Sequence, residues 1–201
     1  TVTRRQRQMC IRDRARRDDL LKFGEKHNLK VGTIADLIDY KLSKESTIEN
    51  VHTKEVSTEF GEFRLDVWRD VIFDEHHFSL TKGSPEKADV PMVRVQTQSV
   101  LQDTLGIDEI GKKWSIRKSL QKISEEGTGV FVLINHRDAK TYWLSSLKDE
   151  NIEPKRNRRV IGIGSQILRS LGLNRINVLG TPTKYSGLSG FNIEIEGFID
   201  E

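Results

Sequence analysis

The chain has 201 residues, 31% of them charged and 35% apolar, which suits one domain of moderate size with a buried core, or one domain with a short appendage. The longest apolar run, Val130–Ile134, is far shorter than the roughly 20 residues of a membrane span, which excludes a membrane protein and predicts a soluble one. The net charge of +3 does not indicate nucleic-acid binding, because residues 1–14 carry +4 from five arginines and one aspartate, and the other residues together carry −1.

Residues 1–14 form a separate, arginine-rich leader. They contain the single cysteine, Cys10, so neither a disulfide nor a cysteine-based zinc site within one chain is expected, in keeping with a reducing cytoplasm. A secretory signal is not expected because an apolar core is absent, although arginine-rich segments poor in acidic residues also occur as organellar transit peptides. The amino-acid sequence of Arg4–Arg14 resembles the translation of a sequencing-library adapter. We therefore interpret the leader as non-native and expect the natural protein to be longer at its N terminus.

Residues 17 to about 40 show the pattern of two short helices separated by a turn. Asp18 or Asp19 can cap the first helix, and Thr33 can cap the second. The apolar residues at helical spacing are Leu20, Leu21 and Phe23 in the first and Ile34, Leu37, Ile38 and Tyr40 in the second. Two such helices cannot form a core alone, and the polar stretch 41–54 predicts a linker or a connecting strand.

Strands and helices alternate from Val56 onward. Alternating apolar residues predict an antiparallel pair of strands at 63–67 and 78–81, and Gly172 is expected to close a helix in the left-handed conformation. The further predicted elements are strands at 93–95, 129–134, 176–179 and 191–199 and helices at 116–126 and 161–171. This alternation indicates a layered α/β or α+β fold.

Two glycine-rich stretches have incomplete nucleotide-binding spacing. Gly106–Lys113 nearly satisfies the phosphate-loop pattern, but Lys113 stands where serine or threonine is required, which favours a surface turn. Gly162-Ile163-Gly164 lacks the third glycine of a dinucleotide fingerprint, and it favours a helix N terminus packed closely on a sheet.

The histidines and the basic cluster also have two interpretations each. His76 and His77 are neighbours on a predicted strand, so they point to opposite faces, and one inward and one outward side chain is expected rather than a metal-chelating pair. The run Lys155–Arg159 offers guanidinium groups that can bind phosphate, but its position before a helix favours a solvated loop.

Four stretches resemble the bifunctional riboflavin-synthesis proteins that join 3,4-dihydroxy-2-butanone 4-phosphate synthase to GTP cyclohydrolase II. The first is Leu20–Tyr40, which contains His27–Lys30 and Gly32–Ile38 and is similar to the end of the synthase. The others are Thr58–Phe63, similar to the opening of the cyclohydrolase domain; Ile161–Gly172, similar to its Tyr-Gly-Ile-Gly-Ala-Gln-Ile-Leu helix; and Gly187–Phe191, similar to its closing segment. The resemblance implies a synthase tail at 15–44 and a cyclohydrolase II-like domain at 45–201, with a mixed sheet and flanking helices.

The zinc site that this resemblance implies is not matched. The family motif Val-Arg-Val-His-Ser-Glu-Cys, followed by Cys-x-Cys, supplies three thiolates and leaves the fourth tetrahedral position open for a catalytic water. Here the thiolate positions fall on Ser99, Ile110 and Lys112, and the histidine position falls on Gln96. The stretch Val93–Asp103 therefore predicts a strand and a polar turn whose amides, hydroxyls and single carboxylate cannot hold zinc as the family does.

Other family site positions have changed as well. The arginine nucleophile falls on Arg159, but the acidic general base falls on Asn157, whose amide cannot accept a proton in the same way. The nucleotide-contact segments fall on Asn135–Lys140 and Gly180–Pro182, with Lys184 matching a family lysine. Arg94, Arg159 and Lys184 are the positions that the resemblance leaves for binding a nucleotide or a phosphate sugar.

These residues predict a fragment of a riboflavin-biosynthesis protein with a degenerate cyclohydrolase domain, serving a structural, dimer-forming or regulatory role beside a synthase. The alternatives are a GTP cyclohydrolase II with an altered set of metal ligands, and a module that binds GTP or a phosphate sugar without turnover. The magnesium used in the family belongs to the synthase region, so no cofactor is expected here. A cytoplasmic homodimer is expected. The charge distribution and the short apolar runs predict neither a nucleic-acid nor a membrane partner.

Overall fold

The computed structural model describes residues 17–32, 37, 40, 45–107, 114–135, 158–182 and 191–200. The chain forms two compact units, residues 1–38 and 39–201, and the predicted domain boundary at residues 44 and 45 lies slightly further along the chain. None of the described helices is long and apolar enough to cross a membrane.

The first unit contains helix α1 (Arg17–His27), as the spacing of apolar residues predicts. Asp18 and Asp19 lie in its first turn, where carboxylates complement the helix dipole, rather than before it as caps. The helix ends where the amide of Leu29 donates to the carbonyl of Gly24 at 2.8 Å. Most of the predicted second helix, including Thr33, lies outside the described residues, although Leu37 and Tyr40 are helical.

The second unit is built on one mixed sheet, which confirms the predicted fold class. Its described strands are β1 (Ile48–Thr58), β2 (Gly61–Asp70), β3 (Glu75–Lys82), β4 (Met92–Thr97), β5 (Gly129–Ile134), β6 (Arg175–Leu179) and β7 (Glu194–Ile199). Their order in the sheet is β1-β2-β3-β5-β4-β6-β7. The neighbours β1, β2, β3 and β5 pair antiparallel, whereas β4 pairs parallel with β5 and β6, and β6 pairs parallel with β7.

Two helices cover opposite faces of this sheet. Side chains alternate along β5, so Phe131 packs in the same cluster as Leu120 and Ile123 of α2 (Ile116–Glu126). Its neighbours Val130 and Val132 pack in the other cluster, which contains Ile163, Ile167 and Leu168 of α3 (Arg158–Ser170). Helix α2 has the predicted bounds because the Ser115 hydroxyl accepts from the amide of Lys118 and Gly127 ends the helix at φ 78°.

Some predicted boundaries differ from the structure. Of the two alternatives predicted for 41–54, a linker or a connecting strand, the structure has a strand, β1, from Ile48 onward, and β7 begins at Glu194 rather than at Phe191. Helix α3 begins at Arg158, so Gly162 and Gly164 lie inside the helix and not at its N terminus. The expected close packing is present at Gly164, where a Cβ atom would lie 2.8 Å from Cγ1 of Val95, and Gly172 has the expected left-handed conformation at φ 80°.

Candidate functional site

The candidate site lies beyond the C-terminal ends of the parallel strands β4 and β5. Thr97 at the end of β4 pairs with Ile134 at the end of β5, so both chains leave the sheet at the same edge. Open α/β sheets bind ligands at this edge. The β2–β3 turn and the first turn of α3 contact each other through Arg159, which meets residues on both sides of that turn.

A single carboxylate organises the loop that follows β4. Residues 100–104 form one π-helical turn, and within it Asp103 Oδ2 accepts a hydrogen bond from the amide of Ser99 at 2.7 Å. The other oxygen, Oδ1, accepts from the amide of Ile116 at 3.1 Å. Asp103 therefore ties the end of β4 to the start of α2.

The described part of the family zinc position does not fit zinc. Ser99 places a neutral hydroxyl at the first thiolate position, and that hydroxyl accepts from the amide of Gln102 at 3.4 Å. Gln96, at the histidine position, is buried and accepts from Nε of Arg94 at 2.9 Å. The other two predicted positions, Ile110 and Lys112, lie outside the described residues. Within the described ranges, no three histidine, cysteine or acidic side chains are grouped to hold a metal ion.

Arg94 has internal partners for its guanidinium group. Nη1 donates to the carbonyl of Leu179 at 2.5 Å, and Nη2 donates to the carbonyl of Trp114 at 3.3 Å. These bonds join β4 to the end of β6 and to the residues before α2. The predicted ligand-binding arginine is thus part of the scaffold in this structure.

Arg159 contacts two buried carboxylates through one nitrogen atom. Its Nη2 lies 3.1 Å from Asp70 Oδ2 and 2.6 Å from Glu75 Oε2. The side chains of Asp70 and Glu75 are 3% and 7% exposed, and that of Arg159 is 21% exposed. The ring of Phe73 lies 3.7 Å from the guanidinium carbon, which places an aromatic face against the cation. The predicted solvated arginine is therefore a half-buried ion-pair partner.

His77 is a fully buried neighbour of this cluster. Its Nδ1 accepts from the amide of Asn135 at 3.2 Å, so the neutral ring carries its proton on Nε2, which has no partner among the described residues. Burial lowers the pKa of His77, while Asp70 and Glu75 act in the opposite direction. His76 is exposed on the other face, which confirms the prediction of one inward and one outward histidine.

A comparison with protein families identifies the second unit. The model of the family described as GTP cyclohydrolase II matches residues 49–200. The chain belongs to the GTP cyclohydrolase II family.

The relatives of this cyclohydrolase II family member are riboflavin-biosynthesis proteins. A 3,4-dihydroxy-2-butanone 4-phosphate synthase of Pseudomonas syringae pv. tomato is 36% identical over 189 residues, which cover 90% of this chain and 51% of that protein. The riboflavin biosynthesis protein RibBA of Aquifex aeolicus is 32% identical over 197 residues, covering 90% of this chain and 48% of RibBA.

A solved structure agrees with these sequence relatives. The crystal structure of RibBX, a two-domain 3,4-dihydroxy-2-butanone 4-phosphate synthase from A. baumannii, has a TM-score of 0.66 and 32% identity. The match covers 93% of this chain and 50% of that chain. The cyclohydrolase II family chain thus spans about half the length of the relatives that it matches.

Several predicted site residues of this cyclohydrolase II family chain lie outside the described residues. They are Asn157 at the base position, Lys184, residues 136–140 of the nucleotide-contact loop, residues 108–113 of the phosphate-loop-like stretch and residues 155–157 of the basic cluster. In the part of the chain that the structure describes, Arg159 pairs with Asp70 and Glu75, whereas Arg94 bonds to Gln96 and to the carbonyls of Leu179 and Trp114.

Sequence reasoning missed the acidic partners of this site, Asp70, Glu75 and Asp103. Asp70 precedes the apolar run Val71–Phe73 at a hairpin turn, where polar residues are usual. These unusual apolar turn residues could have indicated that the turn packs against another part of the protein. The Asp70 side chain also accepts from the amides of Ile72 and Phe73, which is the local bonding that aspartate provides in turns.

Proposed function

We propose that residues 45–201 form a cyclohydrolase II-like domain that does not hydrolyse GTP and that has a structural or regulatory role beside a 3,4-dihydroxy-2-butanone 4-phosphate synthase domain. The observation that carries this proposal is the loop after β4. Ser99 stands at the first thiolate position of the family, and the Asp103 carboxylate closes the loop onto α2. These two hydrogen bonds connect the described start of the loop to α2 without a metal ligand at residue 99.

The chemistry of GTP cyclohydrolase II needs an activated water, which the family obtains from zinc held by three thiolates. A serine hydroxyl, an isoleucine and a lysine at those positions offer no thiolate. Asn157 at the base position offers an amide, which does not take up a proton at neutral pH. Loss of the metal ligands and of the base together supports a domain without this catalysis.

The contacts of Arg94 and Arg159 also disfavour the alternative in which the domain binds a nucleotide without hydrolysing it. Arg94 donates to two backbone carbonyls and to Gln96, and Arg159 pairs with Asp70 and Glu75. Guanidinium groups recognise phosphate through paired hydrogen bonds, which these internal partners already use. A module that binds GTP or a phosphate sugar without turnover is therefore the weaker alternative.

The names of the similar proteins support the role beside a synthase. The relatives from P. syringae and A. baumannii are both described as 3,4-dihydroxy-2-butanone 4-phosphate synthases, and the second is described as having two domains. This chain covers about half of each. We extend the proposal to a cytoplasmic homodimer in which the cyclohydrolase II-like domain contributes contacts or control and not chemistry.

The first test is a GTP turnover assay on the purified chain with added zinc and magnesium, together with a zinc measurement on the same sample. We expect neither formate release nor stoichiometric zinc. An authentic GTP cyclohydrolase II assayed in parallel shows that the conditions permit turnover. Formate and pyrophosphate release with bound zinc would establish the alternative of an enzyme with rebuilt metal ligands.

The role beside the synthase needs its own measurement. In a polypeptide that joins this chain to a synthase domain, we expect removal of residues 45–201 to change the synthase rate or the oligomeric state. Equal rates and equal masses with and without the domain would contradict the structural and regulatory roles alike.

A further inference from the structure

The turn between β2 and β3 surrounds the guanidinium of Arg159. Asp70 ends β2, Glu75 begins β3, and the two are paired across the hairpin. Both carboxylates reach the same Nη2 atom, and Phe73 at the tip of the turn lies against the guanidinium plane. One short hairpin therefore supplies two anions and an aromatic face to one cation.

The two carboxylates contact Nη2 of Arg159, and this position determines whether the guanidinium group can bind phosphate. A guanidinium group makes paired hydrogen bonds to phosphate along one of two edges, and Nη2 belongs to both of them. Nη2 carries two N–H groups, and two carboxylate oxygens lie at 3.1 and 2.6 Å from it. A phosphate oxygen that approaches either edge meets a carboxylate of the same charge sign.

Hydrogen bonds of Asp70 and of the backbone also fix the conformation of the β2–β3 turn. Oδ1 of Asp70 accepts from the amides of Ile72 and Phe73 at 2.9 and 3.3 Å, while Oδ2 of the same side chain contacts Arg159. The amide of Val71 donates to the carbonyl of Thr47 at 2.9 Å, which fixes the base of the turn. The carboxylate at residue 70 is therefore placed by bonds that do not depend on Arg159.

We propose that the β2–β3 turn masks Arg159, with Asp70 and Glu75 acting as internal anions that exclude a phosphate-bearing ligand from its guanidinium group. This inference rests on the proposed function, since it explains how a non-catalytic domain keeps the family arginine without binding the nucleotide. Removal of the two negative charges should expose an anion site of the polyphosphate class.

The test is calorimetric titration of the full chain with inorganic tripolyphosphate at low salt. Wild type is compared with Asp70→Asn/Glu75→Gln, whose amide oxygen at residue 70 can still accept from the turn amides. We expect the double variant to bind at least about tenfold more tightly, a change of about 1.4 kcal/mol. Adding Arg159→Met should remove the gain. Asp66→Asn is the matched control, because Asp66 is an equally buried carboxylate of β2 that pairs with Arg64.

Two outcomes would overturn the mask. They are a folded double variant that binds tripolyphosphate no more tightly than wild type, and a gain that survives Arg159→Met. If the double variant does not fold, Glu75→Gln alone is titrated, and a folded protein without any gain again overturns the proposal. GTP hydrolysis by wild type would refute the proposed function without deciding this binding comparison, so the two failures are distinguishable.

Discussion

Arg159 and Arg175 each contact two carboxylates, but in different surroundings. Arg175 pairs with Asp89 and Glu196 at the surface, and the hydrogen bond that it donates to Glu196 is the main cause that raises its pKa. The partners of Arg159 are buried. Exposed ion pairs add little to stability, whereas removal of one partner from a buried pair leaves an uncompensated charge.

Replacement of Arg159 by methionine should therefore destabilise the fold. We expect a loss of about 3–5 kcal/mol in the free energy of unfolding, because Asp70 and Glu75 remain buried without their cation. Urea denaturation followed by circular dichroism measures it. Arg175→Met is the control and should leave the free energy nearly unchanged. Equal small losses in both variants would show that the buried cluster contributes no more than a surface pair.

His77 should make stability depend on pH. Burial lowers its pKa in the folded protein below the ordinary value of 6.5, so the unfolded chain binds more protons between the two values. This contribution is fully present above about pH 6.5 and is lost as the pH falls toward the folded-state pKa. Melting temperatures from pH 8 to pH 5 should fall less in His77→Gln than in wild type. His76→Gln, on the exposed face, should retain the wild-type slope.

The acidic partners of Arg159 could not be paired with it from the sequence. They lie 89 and 84 residues away along the chain, and only the packing of α3 on the sheet brings them together. The inward orientation of His77 was predictable because strand residues alternate. The absence of cysteines at Ser99, Ile110 and Lys112 can be read from the sequence. The role of Asp103 cannot, because its hydrogen bonds to the amides of Ser99 and Ile116 depend on the geometry of the loop.

The loop after β4 shows how one side chain can connect two elements. Asp103→Ala removes the acceptor for the amides of both Ser99 and Ile116. We expect a loss of about 1–3 kcal/mol in the free energy of unfolding, because partly buried N–H groups lose their partner. Thermal melting detects this loss, with Asp89→Ala at the surface as the control.

Addition of a zinc chelator should not change the melting temperature of wild type, and a clear decrease would point to a metal in this loop.

The boundaries of helix α2 were more predictable than the start of the strand near the C terminus. Helix α2 has a serine cap and a left-handed glycine at its ends, both of which are local signals. Strand β7 begins later than predicted, because Phe191 and Ile193 are buried in the core cluster of α3 before the strand starts. Buried apolar residues just before a strand continue the apolar pattern of the strand itself, so the sequence does not show where the strand begins.

At the scale of the whole molecule, the strand order is the main feature that the sequence did not reveal. Strand β5 inserts between β3 and β4, and β6 pairs with the far side of β4. Alternating strands and helices indicate a layered fold, but they do not specify which strands become neighbours. The mixed character of the sheet came from the resemblance and is confirmed by the structure.

The division into two compact units predicts independent folding of the second unit. A fragment of residues 45–201 should unfold cooperatively, with the same melting temperature as the full chain, because both core clusters lie within it. Differential scanning calorimetry compares the two proteins. A markedly lower melting temperature for the fragment would show that residues 1–44 contribute to the stability of the domain.

Among the described strands, β1 lies at one end of the sheet, and its side chains are exposed along most of its length. Such an edge presents unpaired backbone groups that can template the addition of another chain, as in amyloid growth. Glu49, Lys54 and Glu55 place charges along it, and the irregular pairing between Asn50 and His52 interrupts its flatness. The charges and the irregular pairing of β1 therefore disfavour the addition of a second chain at this edge of the described sheet.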